Sequence, residues 1–232
     1  MAEDGKALAL REIALCETVL AKGGLNVLSE TFRGVADITA WEHYPPGDVF
    51  DPASGAQWYY HCHTADAGET EHGHFHCFVR PQGPEGPIHH LAAVGVDAYG
   101  RMLRLFTVNQ WVVGDDWLDA EATVALLPRF DIQMPQPSYL VNRWLTAIFT
   151  AYEAEIAELI HKRDRALASI GRPRASKRGR TGRWKSSPNW SSRRDSWRTT
   201  TRGWGKLVRS FCHPLEFGLF ATPGFKQSNN ST

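Results

Sequence analysis

Apolar residues recur at two periods along this chain, and the switches between them lay out its elements. From Ala7 to Ala21 they fall at helical steps, with Leu8, Ile13, Leu15, Val19 and Leu20 in an uneven stripe that Gly23-Gly24 would stop. Val35 to Trp41 reads as a strand or as an irregular approach to one. Tyr44-Pro45-Pro46-Gly47-Asp48 and Asp51-Pro52-Ala53-Ser54-Gly55 read as turns. Period two then takes over. Gln57 to His63 and His72 to Val79 are aromatic-rich predicted strands, and the polar stretch Thr64 to Glu71 between them reads as a hairpin loop. Arg80 to Pro87 holds three prolines and is expected to be a loop.

A further strand is predicted from His90 to Asp97. After a turn at Ala98-Tyr99-Gly100, another runs from Met102 to Val113. The latter alternates Leu103, Leu105 and Thr107 with Arg104, Phe106 and Val108. Asp119 is placed to cap a short helix ending at Leu127. Ser138 is placed to cap a long one, from Tyr139 to about Ala168, with Leu140, Trp144, Ala147, Ile148, Tyr152, Ile156 and Leu159 on one stripe. The expected fold class is α+β. An antiparallel sheet of four or more strands carries the N-terminal helix and the long C-terminal helix on one face.

The two central strands carry the chemistry. His61, His63, His72, His74 and His76 alternate, and residues two apart on a strand share a face. If His63 stands opposite His72, then His61 meets His74 and Tyr59 meets His76. All five rings then share one face, while Trp58, Tyr60, Cys62, Phe75, Cys77 and Val79 form the core face. Directly opposed Cβ atoms lie ~5 Å apart, close enough for two or three imidazoles to meet one ion. The five histidines are thus candidate ligands for a divalent metal, zinc or iron. Glu69 and Glu71 are candidate catalytic bases beside it, and Asp66 could add an oxygen. His43, Arg80, His89, His90, Arg101 and Arg104 are candidate ligand-binding residues. The competing reading is a non-catalytic module in which neutral imidazoles and arginines hold an anionic small molecule. A third is a polar sheet face with its ring nitrogens on backbone carbonyls.

Composition narrows the classes. The 232 residues are 42% hydrophobic, enough for one sizeable domain. No run approaches the ~20 apolar residues of a membrane span, and the acidic start Met1-Ala2-Glu3-Asp4-Gly5 lacks a signal peptide's basic region. A cytoplasmic address is expected, with no membrane partner. Four cysteines without a CxxC pair exclude a zinc ribbon and read as free thiols. GxGxxG, P-loop, GxSxG and HExxH motifs are absent.

The near-neutral total hides two halves. Residues 1–168 carry 12 Lys+Arg against 23 Asp+Glu, a balance of −11; residues 169–232 carry 14 against 2, a balance of +12. The first part is read as a single domain, the second as a basic Arg/Trp/Ser-rich tail without a fold of its own. Its spaced tryptophans, Trp184, Trp190, Trp197 and Trp204, could stack on single-stranded nucleic acid. However, Trp184–Trp190 and Asp195–Thr199, back-translated one nucleotide out of frame, read as acidic amphipathic segments under permitted codon choices. The tail is therefore expected to be an out-of-frame replacement of a helix, beginning near residues 168–172, and nucleic acid is disfavoured as a partner. The codons of the gene decide this.

Two resemblances follow from these motifs. Trp41-Glu42-His43-Tyr44-Pro45, Tyr59-Tyr60-His61-Cys62-His63 and Glu71-His72-Gly73-His74-Phe75-His76 resemble an uncharacterised bacterial domain-of-unknown-function family over about residues 5–168. That likeness implies a domain and no activity. His61-Cys62-His63 with Glu69, and Pro84-Glu85-Gly86-Pro87-Ile88-His89, partly resemble the two metal-binding motifs of cupins. The second motif departs from them, with Phe78 and Ala93 where cupins carry Gly and Asn.

Overall fold

The computed structural model describes residues 2–63, 70–108 and 116–170. Two helices, α1 (Ala2–Lys22) and α2 (Val27–Thr31), precede five strands: β1 (Tyr44–Phe50), β2 (Ala56–Cys62), β3 (Gly73–Val79), β4 (His89–Val96) and β5 (Met102–Phe106). Then come α3 (Ala120–Val124), a 3-10 turn at Leu127–Arg129, α4 (Tyr139–Ala151) and α5 (Glu153–Ile170). The strands form one antiparallel sheet in the order β1-β2-β3-β4-β5. The α+β class and its helical flanks are as expected. No described helix is long and apolar enough to cross a membrane.

The core lies on the face where the alternation puts it. Trp58, Tyr60, Cys62, Phe75, Cys77 and Val79 are buried there with Val94 and Val96. α4 covers them, its Trp144 ring 5.8 Å from Phe75. Cys16, Cys62 and Cys77 are free and buried. Asn142, on α4 and fully buried, ties the layers together. Its Oδ1 accepts from the Trp58 indole at 2.9 Å, and its Nδ2 donates to the carbonyls of Met134 and Gln136 at 2.9 Å each. Replacing Asn142 by Ala is expected to lower the unfolding free energy by roughly 2–4 kcal/mol, because it strands an indole N–H and two carbonyls in a dry core. Urea titration measures this, and a loss well under 1 kcal/mol would mean that the three bonds are replaced.

Five local readings are corrected. Tyr44–Asp48 is not a turn but part of β1, an edge strand whose prolines fall in an irregular stretch between the paired positions Tyr44 and Val49. Its register shifts between Tyr44 and Val49. The single long C-terminal helix is two, broken at Tyr152 with φ −115° and ψ 23°. Ser138 precedes α4 without capping it, since its hydroxyl turns to Glu30. On α1 the face turned inward carries Ala9, Cys16 and Leu20, and Leu8, Leu15 and Val19 stay exposed. Small residues let α1 approach α4, where Glu12 pairs with Arg143 and Glu17 accepts from the Trp144 indole. Asp119 caps α3 as read, accepting from Ala122 at 2.9 Å. The strand expected to reach Val113 ends at Phe106, and residues 109–115 and 171–232 lie outside the described residues.

Candidate metal centre

The hairpin has the register that follows from setting His63 opposite His72, one of those the alternation allows: Tyr59 stands opposite His76, Tyr60 opposite Phe75 and His61 opposite His74. The core-forming side chains of β2 and β3 take one face, so the intervening His61, His74 and His76 take the other. His61 Nε2 lies 2.8 Å from His74 Nε2, and His63 Nε2 lies 3.3 Å from His61 Nε2. His61, His74 and His76 can each turn a ring nitrogen to a common point, with those atoms all within 4.8 Å of one another. In a tetrahedral zinc centre with Zn–N near 2.0–2.1 Å, ligand nitrogens stand ~3.3 Å apart. The His61–His63 separation already matches that spacing, and the widest separation in the triad would have to close by up to ~1.5 Å around one ion. One shared proton satisfies one close nitrogen pair at a time; a cation satisfies the whole set.

A charged shell holds His74. Its Nδ1 donates to Glu71 Oε1 at 3.1 Å. Arg104, on β5, grips the same carboxylate from Nε at 2.6 Å and from its second terminal nitrogen at 3.2 Å. Burial works against ionising Glu71, but the hydrogen bonds from His74 and Arg104 outweigh it and hold the carboxyl at about 2. A proton on Nδ1 leaves the Nε2 lone pair of His74 facing the cluster, the carboxylate–histidine–metal arrangement in outline. Gly95 makes room for this. A Cβ there would meet Glu71 Oε2 at 2.5 Å. The Arg104 guanidinium lies 4.4 Å over the Phe106 ring, which packs edge-on to His74 at 5.0 Å.

Burial sets the charge state of the rings. It pushes His61 down to about 2, helped by His74, His63 and His43. It lowers His63 to about 4 and His90 to about 3, the latter helped by Arg163 and His74. His76, fully enclosed, is also held well below the usual range by burial and its neighbouring rings. These four are neutral at pH 7, the form that binds metal. His90 joins from β4, its Nε2 3.1 Å from His76 Nδ1.

Other candidates are placed as follows. His72 does not share the face. Its Nδ1 is 2.6 Å from the Tyr60 hydroxyl and its ring packs near Phe32, both on the core side. The alternation breaks because β3 begins only at Gly73, where a Cβ would lie 2.3 Å from the His61 carbonyl oxygen and 2.4 Å from the Tyr60 hydroxyl. His89, which the cupin-like motif would make a ligand, hydrogen-bonds through Nδ1 to the Asp116 carbonyl, away from the cluster. Arg101 pairs with Asp97 in the β4–β5 turn. Arg80 donates to Gln57 and to the Gly86 carbonyl. Glu71 has both oxygens occupied by His74 and Arg104, so it orients a ring rather than standing free as a base. Glu69 and Asp66 lie outside the described residues. His43 stacks on Tyr59 at 3.6 Å, its ring 6.4 Å from that of His61. Sequence reasoning missed Tyr59, Phe106 and Gly95 as neighbours of the cluster. Parity alone pointed to two of them, Tyr59 on the face of His61 and Phe106 on that of Arg104.

The chain belongs to a family described as a domain of unknown function (DUF6969), whose model matches residues 7–183. The match takes in every histidine of the cluster and runs past the charge break at Ser169, further than the likeness read from the motifs. No curated protein and no solved structure matches the chain.

Proposed function

We propose that this domain binds a divalent metal ion through His61, His74 and His76, with His63 completing the set. The observation that carries the reading is the convergence of the His61, His63 and His74 Nε2 atoms at separations of 2.8 and 3.3 Å, with His61 and His74 directly opposed on paired strands. All-imidazole donor sets suit zinc and iron, among other borderline metals. Bound there, the ion would act as a Lewis acid or activate water. The anion-binding alternative has less support, since Arg104 is engaged by Glu71 and Arg80 by Gln57 and Gly86.

Zinc titration of metal-free protein, purified without a metal-affinity column, tests the reading. About one tightly held ion per chain is expected. Glu71→Gln is expected to weaken zinc binding by ~10–100-fold, the usual loss when a ligand's carboxylate partner is removed. Competition with a chelating dye reads the affinity. An unchanged value would show that the Arg104–Glu71 pair does not serve the ion.

A further inference from the structure

Two backbone anomalies stand beside the cluster. Among the described residues, Trp41 (φ 72°) and Asp48 (φ 59°) are the non-glycine residues with positive φ. Such conformations are disfavoured for side-chain-bearing residues and gather at functional sites. Both put a side chain at the rim of the centre. Asp48, within β1, turns its Oδ1 to accept from His43 Nδ1 at 3.0 Å, while its Oδ2 accepts from Gln57 Nε2 at 2.9 Å. The His43 ring is clamped flat on Tyr59, 8° from parallel. With Nδ1 donating to Asp48, Nε2 of His43 carries the lone pair. The His43 side chain is 35% exposed, whereas His74 and His76 are buried. Trp41 is 61% exposed and stacks on His63 at 4.4 Å.

Glu71 is spent on His74, so the proton acceptor must be another group. Resting on the metal-binding reading above, we propose that His43, positioned by Asp48, is the general base of a hydrolytic site for uncharged esters, with Trp41 the platform for a flat apolar substituent. An O–H bond of water held at the histidine centre breaks, and its proton passes to Nε2 of His43. The oxygen bonds to the ester carbonyl carbon. The bond from that carbon to the alcohol oxygen then breaks, and the alcohol leaves with the proton that His43 took. An uncharged substrate is specified because Arg80 and Arg104 are both engaged by groups of the protein itself.

The test uses full-length protein loaded with zinc, and p-nitrophenyl acetate as probe. Zinc-loaded protein is expected to hydrolyse the ester faster than the same concentration of free zinc. His43→Gln should lower kcat by at least ~100-fold, within the usual range for a removed general base, with zinc affinity unchanged. Asp48→Asn, which tolerates the left-handed backbone, should lower kcat ~10-fold or more by releasing the ring. Trp41→Ala should raise KM with kcat nearly retained. Arg101→Ala, in the β4–β5 turn, is the control expected to match the parent. Hydrolysis no faster than free zinc, or full activity in His43→Gln, would overturn the proposal while leaving the metal reading intact. Failure to take up zinc at all would remove the metal reading, and this one with it.

Discussion

His74→Ala and His61→Ala are each expected to lower zinc affinity by at least ~100-fold, or ~2.7 kcal/mol. Each removes one of the Nε2 atoms separated by 2.8 Å, and His74→Ala also deprives Glu71 of a hydrogen bond. His72→Ala is the contrast. Its ring lies across the sheet beside Tyr60, so the variant should keep its zinc. A ligand at ~100 times its dissociation constant stabilises the fold by ~2.7 kcal/mol. For a domain of this size that moves the melting temperature by ~5–10 °C. Chelator should therefore lower the melting temperature of the parent and of His72→Ala, and leave that of His74→Ala where it is. Elemental analysis and calorimetry read the two effects. Equal zinc in all three proteins would sink the assignment of the ligands, with circular dichroism as the check that each variant is folded.

The second large effect is acid unfolding of the metal-free protein. The folded state keeps His61 and His90 neutral down to about 2 and 3, from an ordinary value of 6.5, and depresses His76 in the same direction. Below 6.5 the unfolded chain takes up protons that the native state refuses. Stability is therefore full above that value and falls as pH drops through the window toward the folded values. By about pH 5 His61 and His90 each withdraw roughly 2 kcal/mol, and His76 adds to the loss in the same direction, against the ~5–15 kcal/mol of a typical domain. Glu71 adds to the loss only below its own ordinary value of 4.5, as its pairing with His74 and Arg104 is titrated away. Metal-free protein is thus expected to unfold cooperatively with a midpoint near pH 5, and zinc, which holds the rings neutral, to move that midpoint lower. Tryptophan fluorescence and far-ultraviolet circular dichroism against pH follow this. A native signal and an unchanged urea midpoint down to about pH 4 would contradict the neutral, buried state of these rings.

How far the site was legible depended on whether local parity carried the information. The β2–β3 parity followed from alternation because a one-residue slip would turn Trp58, Phe75 and Cys77 away from the helical core and the histidines into it, whereas shifts by two residues kept the same parity and were left open. The same logic failed at His72, where the regular strand had not yet begun and Gly73 admits a close approach that no other residue would allow. Pro45-Pro46-Gly47 carries a turn's composition, yet an edge strand tolerates it, and edge position is a property of the whole sheet. The stripe from Leu140 to Leu159 is helical throughout, so nothing in it announced the break at Tyr152.

The alternation of aromatic and histidine residues was enough to settle which side of the sheet faces the core and which carries the imidazoles, because strand side chains have a period of two and only one face is greasy. Which rings meet, and what holds them, was decided by contacts between distant segments. Arg104 reaches Glu71 across 33 residues, His90 comes to His76 from the next strand, and Gly95 clears the space between. Those pairings depend on how β4 and β5 dock beside β3 and on bulges that shift their registers. A local periodicity has no term for either. The charge that orients His74 is therefore a product of the assembled sheet, although the ring that needs it was visible in the chain.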